Sequence, residues 1–199
     1  MSRPFLLGLT GSVGMGKSTT ATMFSEEGVP VWDADRTVHE IYEKGGAAVA
    51  PIAAVFPSAI IDGAVDRGAL KKILSADKQA LSRLESIVHP LTTASREAFI
   101  ADHPKADLIL LDIPLLFETG ADKSCDATLV VSAPLEVQRA RVLARPGMTA
   151  DQLDFILSRQ MPDAEKRARA TYVIETVNLE DTRRDVRNLI SKIREDRHA

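Results

Sequence analysis

Eight residues near the amino terminus limit this chain more than any other feature. Gly11-Ser12-Val13-Gly14-Met15-Gly16-Lys17-Ser18 meets G-x-x-x-x-G-K-[ST] at every fixed position, after the apolar run Phe5 to Leu9 and before a helical pattern opening at Lys17. Glycines let the backbone curl until its N–H groups converge on phosphate oxygens. Lys17 adds a mobile charge for β and γ phosphates, and the dipole of the following helix acts in the same direction. Ser18 is placed to ligate magnesium, with Thr19 next to it among the nucleotide-binding residues. A dinucleotide fingerprint does not compete, because Gly14 and Gly16 are followed by Thr19 where a third glycine is required.

The rest of the chain reads as a sheet built around that turn. Five short apolar runs, Phe5 to Leu9, Val29 to Trp32, Leu108 to Ile113, Ala127 to Ser132 and Tyr172 to Glu175, have the Val/Ile/Leu character of buried parallel strands. Helical stretches separate them: Lys17 to Glu27 capped by Gly28, Pro134 to Arg145, Met148 to Arg159, and Asp181 to Glu195 with Val186, Leu189, Ile190 and Ile193 on one face. The pattern is α/β and resembles a P-loop NTPase-type three-layer sandwich, a five-stranded parallel sheet flanked by helices. About 70 residues between the second and third strands are mostly helical in pattern, with Leu70 to Leu74, Leu81 to Val88 and Leu91 to Ile100. They predict a helical subdomain over about 36–104, placed at the C-terminal sheet edge where such folds bind ligands. The whole, 1–199, is expected to be one domain, with a helical-hairpin lid over about 134–165.

Composition narrows the partners. With 25 Lys plus Arg against 28 Asp plus Glu, the net charge of −3 supplies no general field for nucleic acid, so a polyanion must be held locally. No apolar run approaches the roughly 18 residues of a membrane span. The opening Met-Ser-Arg-Pro-Phe-Leu-Leu-Gly is too short in apolar residues for a signal peptide, and the one cysteine, Cys125, excludes an internal disulfide framework. The expectation is a cytoplasmic protein.

A phosphate loop implies a nucleoside triphosphate without saying what becomes of it. A guanine-reading N-K-x-D is absent, since Asn178 and Asn188 are both followed by leucine. A small-molecule kinase needs a carboxylate for the acceptor hydroxyl, an acceptor pocket and cations around the migrating phosphoryl group. Asp112, closing the run Leu108 to Leu111, sits where a magnesium-holding carboxylate belongs. Asp33, in Val31-Trp32-Asp33-Ala34-Asp35, is the candidate base. If the strand continues, Asp33 and Asp35 share one face; the favoured arrangement instead makes Asp35 the N-cap of a following helix and leaves Asp33 facing the phosphates; in a further alternative both are caps. Arg139, Arg141 and Arg145 supply cations, and the i,i+4 spacing of Arg141 and Arg145 lets both reach one triphosphate from the lid. Thr149 and Gln152 form a capping box opening the second lid helix. His39, His89, His103 and His198 lack metal-ligand spacing. His89, before Pro90, is read as opening a helix where it could contact an anionic acceptor, and Phe117 could line an acceptor pocket.

Together, Gly11 to Ser18, Asp33-Ala34-Asp35 with His39, His89-Pro90-Leu91, Asp112-Ile113-Pro114-Leu115-Leu116-Phe117-Glu118, Gln138 with Arg141 and Arg145, and Gln160 with Lys166 resemble the dephospho-CoA kinase family from Leu6 to about Ile193. The resemblance implies ATP-dependent phosphorylation of the ribose 3′-hydroxyl of dephospho-CoA, giving coenzyme A and ADP with Mg²⁺. It implies Asp33 as general base, Lys17 and Arg141 on the moving phosphoryl group, and Ser18 on magnesium. Arg145 joins the loop in binding ATP, and Asp33, Asp35, His89, Leu115, Leu116, Phe117 and Glu118 bind the acceptor. The partners are then two small molecules, ATP and dephospho-CoA, with neither nucleic acid nor membrane; a monomer is the expectation, with an oligomer left open. A nucleoside or nucleoside-monophosphate kinase, and a non-catalytic nucleotide switch, are the alternatives. The chain departs from the family late: Ala170-Thr171-Tyr172 stands for Ala-Asp-Tyr, and Thr176-Val177-Asn178 for Asn-x-Gly. Thr176 offers a hydroxyl in place of an amide, so the contact to the adenine end, and base selectivity with it, is not carried over.

Overall fold

A computed structural model describes residues 3–198, with the side chain of His198 left out. Met1 and Ser2, part of the opening segment read above, and Ala199 lie outside the described residues. The elements run β1 (Phe5–Thr10), α1 (Lys17–Glu26), β2 (Val31–Asp33), α2 (Ala34–Tyr42), α3 (Val49–Val55), β3 (Ile60–Ile61), β4 (Ala64–Val65), α4 (Arg67–Ala76) and α5 (Ala80–Asp102). They continue β5 (Leu108–Asp112), β6 (Ala127–Ser132), α6 (Leu135–Leu143), α7 (Ala150–Leu157), α8 (Asp163–Arg169), β7 (Tyr172–Glu175) and α9 (Leu179–His198). Contacts divide the chain into two units, one running to Trp32 and resuming at His103, the other Asp33–Asp102.

In the first unit the strand order is β2-β5-β1-β6-β7, with β1 between its parallel partners β5 and β6. All five residues of β5 and all six of β6 are buried, which explains their near-unbroken apolar sequences: helices cover both faces, so no side of the strand is left for polar residues. Leu7, Leu9, Leu108, Leu110, Leu129 and Val131 form one cluster with Met23 and Phe24 of α1 and with Val186, Ile190 and Ile193 of α9. Arg187 of α9 bonds Glu27 just past α1 at 2.6 Å, and Arg194 bonds Asp107 before β5 at 2.7 Å.

The second unit has its own core, with Tyr42, Ile52, Phe56, Leu70, Leu84 and Val88 buried together. Sequence periodicity anticipates helices here but not the hairpin β3–β4, which turns through Asp62 (φ 52) and Gly63 (φ 81), the positive-φ pair that a two-residue hairpin requires. The runs Leu81 to Val88 and Leu91 to Ile100 prove to be one helix, α5, with Pro90 inside it. Proline removes one N–H and its ring crowds the preceding turn, yet the helix continues because Leu84 and Val88 bury their side chains before it, and both His89 and Pro90 face solvent. His89 therefore lies mid-helix and opens no helix, a correction to the sequence reading. Among the described residues no helix is long and apolar enough to cross a membrane.

Candidate active site

The phosphate loop spans from the end of β1 to the start of α1. Gly14 and Gly16 adopt φ 79 and φ 82, and a Cβ at Gly14 would stand 2.5 Å from Val142 Cγ2. Both conformation and space therefore demand glycine. Gly16 caps α1 without a side-chain bond, and no acidic residue occupies the first turn, so the amides of that helix end are left to an external anion.

The outward side of the loop is braced residue by residue. The Ser12 carbonyl accepts from Met15 N at 3.1 Å, and the Gly16 carbonyl from Thr20 N at 3.0 Å and Thr20 Oγ1 at 3.1 Å. The Val13 carbonyl accepts from Gln138 Nε2 at 2.8 Å, while Val13 N donates to Gln160 Oε1 at 3.1 Å. The Met15 carbonyl accepts from Thr176 Oγ1 at 2.8 Å, and Arg141 Nη1 reaches the Gly14 carbonyl at a long 3.5 Å. Gln138, Gln160 and Thr176 are loop-supporting residues that pattern reasoning alone does not find. Gln138 and Gln160 carry only a family signal, and Thr176 stands out only as a departure from the family pattern.

Lys17 Nζ lies 2.6 Å from Asp112 Oδ1, with the Asp112 side chain 3% exposed. Ser18 and Thr19 are exposed in the first turn of α1. For magnesium the donor set fits: one strand-end carboxylate, Asp112, and one hydroxyl, Ser18, leave the remaining positions to phosphates and water, as this ion prefers. Among the described residues no group of three or more His, Cys, Asp or Glu forms a protein-only cage.

At the end of β2 the structure corrects the capping assignment. Asp33 is the N-cap of α2, its Oδ1 accepting from Arg36 N at 2.9 Å, and Asp35 sits exposed in the first turn. The helix begins immediately after the strand, so the last strand residue is the one whose extended backbone (φ −117, ψ 117) suits a cap. That bond fixes one carboxylate oxygen, and among the described residues Oδ2 has no hydrogen-bond partner.

The segment after β5 turns back on itself, with Thr10 Oγ1 donating to the Pro114 carbonyl at 2.8 Å. Leu116 is fully buried and Phe117 6% exposed, whereas Leu115 is 41% exposed. Glu118 bonds inward: its Oε1 lies 2.9 Å from the fully buried Lys166 Nζ and accepts from Met161 N at 2.9 Å. Burial pushes the Glu118 carboxyl up, but Lys166 and the Met161 N–H outweigh it and hold the group below the usual carboxylate range.

The hairpin helices carry the arginines differently from the sequence reading. Arg139 pairs with Asp154 of α7 at 3.1 Å, and the capping box of Thr149 and Gln152 is present. Arg141 Nη1 donates to Thr176 Oγ1 at 3.2 Å and its Nη2 to the Thr176 and Val177 carbonyls. The predicted helix Pro134 to Arg145 stops at Leu143, because Pro146 and Gly147 (φ 76) end it early, so Arg145 lies beyond the helix and exposed.

Residues 5–181 match the dephospho-CoA kinase family. A Cereibacter sphaeroides protein named dephospho-CoA kinase is 60% identical over 193 residues, 97% of this chain and 98% of that one. A protein of the same name from Jannaschia sp. is 61% identical over 191 residues, 96% of this chain and 98% of its own. A crystal structure of a Thermus thermophilus protein superposes with TM-score 0.84 at 35% identity, covering 96% of this chain and 98% of its own. A braced phosphate loop backed by Lys17 and Asp112, in a chain matched this fully, has one placement: the chain belongs to the dephospho-CoA kinase family.

Proposed function

We propose that this chain transfers the γ-phosphoryl group of ATP to the ribose 3′-hydroxyl of dephospho-CoA, releasing coenzyme A and ADP. The observation that carries the reading is the phosphate loop, its carbonyls held outward and the N-terminus of α1 left open behind Lys17. Identity of 60% to a relative named dephospho-CoA kinase supports the choice of acceptor.

Positioning and electrostatics do most of the chemistry in such a transfer. Loop amides and the α1 terminus hold the β and γ phosphates, and Lys17 moves its ammonium from Asp112 onto them. Ser18 and Asp112 would hold a magnesium ion, which would supply positive charge to offset that of the phosphates. Asp33, oriented by its capping bond, takes the proton of the acceptor hydroxyl through its uncommitted oxygen. Arg141, beside the loop, and the exposed Arg145 contribute positive charge at the triphosphate. His89, Asp35 and Leu115, all exposed, are acceptor-binding residues, as are Leu116, Phe117 and Glu118 of the segment after β5. The helical unit Asp33–Asp102 is the acceptor subdomain and α6–α7 the lid. The enzyme works in the cytoplasm on two small molecules, in keeping with its net charge of −3 and single cysteine.

The direct test incubates purified protein with Mg-ATP and dephospho-CoA and looks by mass spectrometry for product bearing one additional phosphate. Its absence, with turnover of a nucleoside or nucleoside monophosphate instead, overturns the acceptor assignment. Asp33→Asn should lower kcat by roughly 10² to 10⁴, the usual worth of a positioned base, while leaving ATP affinity intact. Unchanged turnover removes Asp33 from the mechanism.

A further inference from the structure

Thr176 is 5% exposed and its backbone N–H already donates to the Ser132 carbonyl at 2.8 Å. Its hydroxyl has one proton and two acceptors in reach, the Met15 carbonyl at 2.8 Å and the Ser132 carbonyl at 3.3 Å. Ser132 is supplied by the backbone, so the proton goes to Met15, the nearer oxygen. A hydroxyl also accepts, and Arg141 Nη1 donates to this one at 3.2 Å. Arg141 Nη2 meanwhile holds the Thr176 and Val177 carbonyls, which fixes the backbone that carries the hydroxyl. The side chain packs directly on the loop, since a Cβ at Gly16 would lie 3.0 Å from Thr176 Oγ1 and 3.2 Å from Thr176 Cβ.

In a planar trans peptide the carbonyl and the N–H of the next residue point in opposite directions. Pinning the Met15 oxygen on the outside of the loop therefore turns the Gly16 N–H to the inside. Among the described residues that N–H has no hydrogen-bond partner. We infer that Thr176 is a positioning residue for ATP: its hydroxyl, oriented by Arg141, sets the Met15–Gly16 peptide so that the Gly16 amide is presented to the phosphates. This rests on the kinase reading above only in taking ATP as the loop's ligand, and it requires no particular acceptor.

Two variants separate the hydroxyl from the packing. Thr176→Val keeps the branched side chain against Gly16 and leaves the Met15 carbonyl without its donor; Thr176→Ser keeps the donor. Calorimetric titration with ATP, run without any acceptor, should show affinity lowered about tenfold in Thr176→Val, the scale of one buried acceptor left unsatisfied. Thr176→Ser should stay within about threefold of the parent, as should the dephospho-CoA affinity of both variants. ATP affinity unchanged in Thr176→Val, or Thr176→Ser as weak as Thr176→Val, overturns the inference. So does an equal loss for ATP and dephospho-CoA, which would mark a general loosening of the fold. A parent protein that binds ATP yet fails to phosphorylate dephospho-CoA would refute the acceptor assignment and leave this inference standing.

Discussion

Replacing Glu118 by glutamine isolates one charge of the pair it makes with Lys166. The amide oxygen can still accept from Met161 N, and the side chain keeps its length, so what disappears is the counter-charge of Lys166, whose side chain is 0% exposed. Breaking a buried pair by removing one partner costs about 3–5 kcal/mol, because the other charge stays behind without compensation. With about 2–4 °C per kcal/mol for a protein of this size, Tm should fall by roughly 6–20 °C. Lys166→Met should cost less, since the Glu118 side chain is 19% exposed and can be hydrated where it stands. Thermal unfolding followed by circular dichroism at pH 7 measures both deficits. A deficit in Glu118→Gln below about 2 °C, or one no larger than that of Lys166→Met, would refute the argument that an uncompensated lysine is responsible.

Two further outcomes follow from the same contacts. Gly14→Ala combines a φ of 79 with a methyl 2.5 Å from Val142 Cγ2 and 3.1 Å from the Gln138 carbonyl, so the loop must shift; ATP affinity by calorimetry should drop more than about tenfold, and an affinity within twofold of the parent contradicts this. Burial pushes the Asp107 and Asp126 carboxyls up, but hydrogen bonds from Arg194 and from Arg3 respectively, with those arginines' charges and nearby backbone N–H groups, hold both below the usual carboxylate range. With Glu118 they contribute stability that is present above the unfolded values and lost as pH falls through the lower folded ones, so urea midpoints should hold from pH 7 to about 5 and decline below about 4. A midpoint that rises on acidification reverses the sign and refutes the assignment.

What the sequence reveals about this fold is what short stretches of chain determine by themselves. Leu108-Ile109-Leu110-Leu111 reads as a buried strand because both its faces are covered, and it is one. The turn of Gly14 and Gly16 is legible because their backbone angles exclude other residues. Features that depend on where neighbouring elements end are harder. Asp33 and Asp35 are equally good caps by type, and only the abrupt change from β2 to α2 selects Asp33. Pro90 looks like a boundary until the burial of Leu84 and Val88 carries the helix up to it. The Asp62-Gly63 hairpin signal is weak because its strands, Ile60–Ile61 and Ala64–Val65, are two residues each, too short to show an alternating pattern.

The phosphate loop divides along the same line. Its inward face, the amides that meet phosphate, is written in eight consecutive residues. Its outward face is held by Gln138, Arg141, Gln160 and Thr176, more than 120 positions away, with no spacing rule connecting them to the glycines. Because each peptide has both a carbonyl and an N–H side, the amides are aimed only as well as the carbonyls are restrained. A chain can therefore keep Gly11 to Ser18 unchanged and still lose its grip on a triphosphate through a change at Thr176, a position that no motif search for the loop would inspect.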